Sequence, residues 1–591
     1  MFLAGLAAFA QEPYPQITNI PGRSTVCLDG KWKYIVDLYK TGNQDYRAKP
    51  LPETQSFFAD RSFYADQRYL VEYDFDAAKE IAVPGDWNTQ RPELYYYEGT
   101  VWYRTKFAKN PREGKRYFLY FGAANYETVV GLNGRRIGHH EGGFTPFNFE
   151  VTDRLVDGIN SLVVNVDNTR RLDGVPTVNS DWWNYGGITR SVYLVETPET
   201  FIRDYSVQLK KGSRTVLDCW AQLDGPALQQ KVTVSIPELG VSSTVTADAS
   251  GLARFEIPVK PVLWCPSDPK LYDVTVYCET DSVKDRIGFR TIETRGDTLL
   301  LNGEYIFCRG ISIHEEMIGG AGGRAFSEEH ARALLSEAKA MNCNFVRLAH
   351  YPHNENTVRL AEEMGIMVWS EIPVYWTIAF GNPETYANAE SQLTDMIARD
   401  HNRANVIIWS VANETPLGAE RLAFLTRLID KARALDPTRL VSAAMEKIEH
   451  EGRRMTVEDP LLEIADLISF NQYVGWYDGT PDKCDEVTWS FSVKKPVIIT
   501  EFGGGAVYGR HGGVDQRFTE ENQEYLYRKN IDMLSRIPGL AGASPWILKD
   551  FRSPKRMLDG IQDDYNRKGL LSEKGERKKA FYVMQSWYGT K

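Results

Sequence analysis

Near residue 292 the hydrophobic pattern of this chain changes period, and that change constrains its fold more than any other feature. Downstream, short apolar runs alternate with helical stretches, the βα pattern of a parallel sheet or barrel. Strands are expected near 305–310, 344–348, 366–371, 406–411, 440–444, 467–471, 497–501 and 541–546. Eight strands in about 300 residues predict a TIM barrel. Helices fit between them at 327–341, 387–399 and 419–434, the first with Ser327 as N-cap and Glu328 and Glu329 in its first turn. The stretch 475–488, after the sixth strand, reads as an irregular active-site loop.

Upstream there are only strands. Runs such as Tyr117-Phe118-Leu119-Tyr120-Phe121 and Ser161-Leu162-Val163-Val164-Asn165-Val166 are punctuated by Asn133-Gly134, Gly142-Gly143 and Asp157-Gly158. They predict a β jelly-roll sandwich. A second block carries the alternating strands Lys231-Val232-Thr233-Val234-Ser235-Ile236 and Tyr272-Asp273-Val274-Thr275-Val276-Tyr277, and its size suits an immunoglobulin-like sandwich. The expected division is 11–197 as a jelly-roll, sugar-binding-like domain, 198–291 as the immunoglobulin-like sandwich and 292–591 as a catalytic TIM barrel. A chain of 591 residues has room for all three.

The 69 Lys and Arg against 79 Asp and Glu give a net charge of −10, which argues against a nucleic-acid partner. An anionic ligand must then be drawn by a local basic patch. Aromatic residues reach 12%, a surplus suited to sugar-stacking platforms. The seven cysteines are scattered, without a CxxC pair, so neither a disulfide framework nor a zinc ribbon is expected. Residues 1–10 form an apolar run ending Ala8-Phe9-Ala10 before Gln11, which reads as the last part of a signal peptide and implies a periplasmic or secreted protein. No other stretch approaches the ~18 apolar residues of a membrane span.

Catalytic groups of such a barrel stand where strands end. Val406-Ile407-Ile408-Trp409-Ser410-Val411 runs into Ala412-Asn413-Glu414, and Val497-Ile498-Ile499-Thr500 runs into Glu501. A carboxylate ending an apolar strand must be paired, solvated in a cleft or neutralised. On the strand count, Glu414 and Glu501 close strands four and seven and face one another across the barrel mouth, an arrangement that fits two-carboxylate glycoside hydrolysis. The alternative is that they only form ion pairs with barrel arginines or lysines. Arg347 on strand two is placed to keep Glu501 ionised. His350 follows strand two and His314 follows strand one, so both are candidates for the barrel mouth, and structural roles are the alternative. No histidine arrangement suggests a metal ligand set.

These segments resemble a known family. IIWSVANET and IITEFGGG are similar to the acid/base and nucleophile segments of glycoside hydrolase family 2, which includes β-galactosidases, β-mannosidases and β-glucuronidases. The stretches 344–373 and 129–155, with VPGDWN at 83–88 and DWWNYGGITR at 181–190, extend the resemblance over nearly the whole chain. It implies Glu414 as general acid/base and Glu501 as nucleophile, with no metal and no cofactor. Asn413 would donate to the sugar 2-hydroxyl, and Tyr473 would hydrogen-bond the nucleophile.

For the sugar, the resemblance is strongest to β-glucuronidases. Between Lys549 and Lys579 ten Lys and Arg stand against six Asp and Glu. Within this segment Asn566-Arg567-Lys568 resembles the signature that grips the substrate carboxylate in those enzymes, while a solvated basic surface is the plain reading of a charge run. Trp546 and Asp181 match positions that line the sugar site, with a core role for Trp546 and a turn role for Asp181 as the structural alternatives. Gln562-Asp563-Asp564-Tyr565 lacks the arginine that some glucuronidases use as a second carboxylate partner, a role left to Arg552, Arg556 or Arg567. The short passage after Glu371 lacks the long covering loop of some family members, so an open cleft is expected. The expected partner is a glucuronide or a glycan ending in glucuronic acid, released by an exo-acting retaining enzyme. A β-galactosidase of the same family and a non-catalytic carbohydrate-binding protein are the competing functions. A homo-oligomer stays open.

Overall fold

The computed structural model describes residues 15–61, 72–320 and 322–591. The leader-like residues 1–10 lie outside them. The first unit is a sandwich of two antiparallel sheets. One has four strands, in the spatial order Ser24–Cys27, Val192–Pro198, Lys115–Phe121 and Phe147–Glu150; the other has six and includes Thr100–Lys109, Gly158–Asp167 and Glu127–Leu132. Alternate residues of facing strands, among them Trp32, Tyr103, Leu119, Val130 and Val164, form its core. The second unit packs a three-stranded sheet, built on Phe201–Leu209, against a four-stranded one built on Lys231–Ile236.

The remainder is a closed eight-stranded barrel. Its strands are β1 (Cys308–Ile313), β2 (Phe345–Leu348), β3 (Met367–Glu371), β4 (Val406–Asn413), β5 (Leu440–Glu446), β6 (Ile468–Asn471), β7 (Val497–Glu501) and β8 (Leu540–Ala543). Each pairs in parallel with the next, and Cys308 and Arg309 of β1 close the ring against Gly542 and Ala543 of β8. Strands buried on both faces explain the continuous apolar runs of the sequence. The helices that cover them include α1 (Glu328–Ala340), α2 (Glu355–Glu363), α3 (Pro383–Asp400) and α4 (Ala419–Leu435). Ser327 caps α1 by accepting from the His330 amide at 3.2 Å.

One expected strand is displaced. The first barrel strand, expected at 305–310, begins instead at Cys308. The preceding residues form a hairpin, Thr298–Leu301 with Glu304–Tyr305, that turns through Asn302 and Gly303 at φ of 55° and 79°. That turn uses up Tyr305 and moves the barrel strand three residues on. Among the described residues, no helix is long and apolar enough to cross a membrane.

Candidate active site

Glu501 is the last residue of β7 and Asn471 the last of β6, and the two lie in register. The Glu501 carboxylate takes one hydrogen bond on each oxygen, from Arg347 Nη1 at 2.7 Å and from the Tyr473 hydroxyl at 2.6 Å. Arg347, on β2, is wholly buried. Its guanidinium also donates to Glu371 Oε1 at 2.9 Å and to Asn413 Oδ1 at 2.7 Å. Glu371 closes β3. Burial would raise its carboxyl, but the Arg347 charge, His350 and the Trp369 indole outweigh that and bring it down to about 2. His350 lies between the two carboxylates, with Nδ1 2.8 Å from Glu371 and Nε2 3.7 Å from Glu501.

Glu414 stands in a different environment. It follows β4 with φ of 48°, a left-handed conformation costly for a residue with a Cβ, and its amide donates to the Ala444 carbonyl at 2.8 Å. Its carboxylate accepts from two neutral donors, Trp376 Nε1 and Asn471 Nδ2, each at 2.8 Å. Burial first, and the negative charge of Glu501 second, push its carboxyl up to about 7. Two carboxyls in one cleft therefore stand in different environments, Glu501 against a cationic donor and a phenol and Glu414 against two neutral donors and a like charge.

Between them, Asn413 accepts on Oδ1 from Arg347 and, at 3.1 Å, from Asn471. Because an arginine can only donate, this fixes the amide orientation. The buried Asn413 Nδ2 then has no hydrogen-bond partner, a donor available to a ligand.

A positive pocket adjoins these groups. The Lys568 ammonium is buried, donates to the Tyr477 hydroxyl at 2.7 Å and lies over the Tyr473 and Tyr477 rings at 5.5 and 4.7 Å. Among the described residues no carboxylate stands at ion-pair distance from it, and burial lowers its proton affinity. Arg556 Nη1 reaches the same Tyr477 hydroxyl at 3.3 Å. Burial would raise the Tyr477 phenol, but the Lys568 and Arg556 charges overcome it and lower the phenol. Arg567 is turned away, paired with Glu573 at 2.7 Å and Asp550 at 3.3 Å, and Arg552 contacts Tyr95. Of Arg552, Arg556 and Arg567, it is Arg556 that shares the Tyr477 hydroxyl with Lys568. Asp181 accepts from Ser553 at 2.6 Å, from Asn566 at 3.2 Å and from Arg556, so it orders the loop that carries the cations.

Asp181 reaches the barrel on a strap from the first domain. Within 181–190, the Trp183 amide donates to the Arg552 carbonyl, Tyr185 donates to Glu316 at 3.1 Å, and Arg190 forms a buried ion pair with Glu315 at 3.0 Å. Trp182 enters an aromatic wall with Tyr351, Tyr375, Trp546 and Phe551. Trp546 is nearly buried and stacks on His350 at 4.7 Å, so its ring backs the histidine. His314 lies deeper, its Nδ1 3.1 Å from the Tyr351 hydroxyl, and burial, followed by the charge of His350, holds it well below the usual histidine range.

Glu371, Asn471, Tyr375, Trp376 and Tyr477 are not among the residues expected from the sequence. Glu371 carries the same signal as Glu414 and Glu501, an acid ending the run Met367-Val368-Trp369-Ser370. The loop residues carry no periodic signal. One grouping among the described residues has ligand atoms close enough for a metal, Glu127, His139 and Glu141 on the first domain, within 4.8 Å of one another. Arg171 pairs with Glu141 at 2.7 Å and with Glu127 at 3.8 Å and already supplies positive charge there.

Comparison with known proteins agrees with this architecture. The sequence matches Glycosyl hydrolases family 2, TIM barrel domain, over residues 292–537, the sugar binding domain of that family over 27–198, and its remaining domain over 200–290. A β-glucuronidase of Paenibacillus borealis is 29% identical over 560 aligned residues, covering 86% of this chain and 91% of that protein. A Bifidobacterium dentium β-glucuronidase complexed with coumarin-3-O-glucuronide superposes with a TM-score of 0.83 at 26% identity, covering 98% and 99% of the two chains. A β-galacturonidase of Eisenbergiella tayi, at 24% identity and a TM-score of 0.80 with 98% and 99% covered, shares the fold. With its three domains matched in order, the chain belongs to glycoside hydrolase family 2.

Proposed function

We propose that the protein releases terminal β-linked glucuronic acid by a retaining double displacement. Glu501, hydrogen-bonded by Arg347 and Tyr473, attacks the anomeric carbon while Glu414 gives its proton to the departing glycosidic oxygen. The sugar is then an ester of Glu501 and Glu414 is a carboxylate. In the second step Glu414 takes a proton from water, the water oxygen bonds to the anomeric carbon, and Glu501 leaves as carboxylate. Asn413 Nδ2 offers its unused donor to the 2-hydroxyl. No step calls on a metal or cofactor.

The observation that carries the choice of sugar is Lys568, a buried ammonium with phenol and ring partners but no carboxylate among the described residues. A desolvated charge of this kind is costly until an opposite charge joins it, and the C6 carboxylate of a uronic acid is such a group. Arg556 adds a second cation, and the glucuronidase relatives support the same choice. The passage from Glu371 to α3 at Pro383 is short, which favours an open cleft and glycan ends as substrates. A panel of nitrophenyl β-glycosides tests the proposal: glucuronide is expected to be cleaved well above galactoside and glucoside, and the galacturonide arm reads the preference at the 4-hydroxyl. Preference for the galactoside would refute it.

Action outside the cytoplasm is proposed from the run ending Ala8-Phe9-Ala10. N-terminal sequencing of protein from the native host is expected to start at Gln11, and retention of Met1 would contradict export.

A further inference from the structure

The passage between β3 and α3 is tied to the end of β4 beside Glu414. The Trp376 amide donates to the Asn413 carbonyl at 2.9 Å, and the Asn413 amide donates to the Val374 carbonyl at 2.9 Å. Trp376 takes a left-handed φ of 54° there, and its indole N–H is bonded to Glu414 Oε2 at 2.8 Å. Tyr375 packs against the ring at 4.5 Å, yet the indole remains partly exposed. The ammonium of Lys555, from the segment after β8, lies 4.5 Å from the ring centroid. Lys555 is exposed, donates to Asn179 Oδ1 and has no carboxylate at ion-pair distance among the described residues. Its neighbours Lys549, Arg556, Arg567 and Lys578 all have one.

A general acid protonates the bridging oxygen, so the group bonded to that oxygen leaves along the acid's own side of the cleft. Trp376 is the aromatic side chain fixed to that carboxylate. We propose that Trp376 and Lys555 form the edge that receives the leaving group, and that this edge favours a leaving sugar bearing a negative substituent, either sulfate or carboxylate. The inference rests on the glucuronide reading of the site. The indole offers a flat face whose orientation is locked by its hydrogen bond, and a sugar ring stacks on such a face by its C–H side. The ammonium is a point charge that accepts an anion over a wide range of directions. Two neighbouring acidic sugars would thus each meet an ammonium, Lys568 deep in the pocket and Lys555 at the rim.

The test compares kcat/KM for disaccharides of glucuronic acid β-linked to a neutral leaving sugar and to the same sugar carrying a sulfate or, in a second arm, a carboxylate. The wild-type ratio of charged to neutral substrate is expected to be about threefold to fivefold at low salt, the range of an exposed ion pair, and to shrink as salt rises. Lys555→Ala should bring the ratio to about one and Lys555→Glu should take it below one, since a surface lysine is replaced in both. Preference for either anion supports the edge, and the two arms tell which is read. A wild-type ratio of one, a ratio that survives Lys555→Ala, or a preference that follows a sulfate placed on the glucuronic acid itself would overturn it. Failure to cleave nitrophenyl glucuronide would instead defeat the reading of the site on which the inference rests.

Discussion

At the scale of single residues, the two carboxylates are separated by what surrounds them and not by what they are. Glu501 has a cationic donor and a phenol; Glu414 has two neutral donors and a like charge nearby. In the proposed mechanism Glu414 donates a proton and so must be protonated, and its carboxyl is raised from its ordinary 4.5 to about 7. The first displacement therefore weakens as pH rises through about 7, and kcat/KM should show an alkaline limb there. The Trp376 N–H favours the ionised form, so Trp376→Phe is expected to move that limb upward by roughly one unit, and a limb that moves downward would contradict the assignment. Glu414 and Glu501 were visible in the sequence because each interrupts a long apolar strand. Glu371 sends the same signal, but its meaning depends on Arg347 and His350 converging on it from another strand. Trp376, Tyr477 and Arg556 lie on loops, where tertiary contacts alone decide the neighbours.

At the scale of elements, barrel strands were legible because burial on both faces leaves runs of apolar residues, and β2 to β7 lie close to their expected positions. The first strand was misplaced by a hairpin whose Asn302-Gly303 turn sits inside a longer apolar stretch. The element least legible in the sequence is the strap at 181–190, which is irregular and matters only through what it touches. It depends on a close approach at Gly186, where an added Cβ would lie 2.0 Å from the Trp87 ring. Trp87 is fully buried, so the strap must move if the ring cannot. Gly186→Ala is expected to cost about 1–3 kcal/mol of stability by thermal denaturation. It should also raise KM, because Asp181 and the loop bearing Arg556 shift with the strap. An unchanged KM at reduced stability would mean that the strap does not position the pocket.

At the scale of the whole molecule, the site is made by two domains. The barrel provides the carboxylates and cations, and the first domain provides Asp181 and Trp182 and is tied to the barrel by the buried Arg190–Glu315 pair. The overall charge of −10 opposes an acidic ligand, so attraction must be local. In the basic stretch after β8 most cations are engaged by acidic neighbours, among them Lys549, Arg567, Arg577 and Lys578, which leaves Lys568 as the buried ammonium open to a ligand carboxylate. The most direct test compares nitrophenyl β-glucuronide with nitrophenyl β-glucoside, which differ only in the C6 group, in the wild type and in Lys568→Met, which keeps the side-chain volume. If the pocket reads the carboxylate, the substitution should cut the glucuronide-to-glucoside ratio of kcat/KM by roughly a hundredfold, the scale of a charged hydrogen bond lost in a buried site. A ratio unchanged by the substitution would contradict the assignment of the protein as an enzyme that selects glucuronides through Lys568.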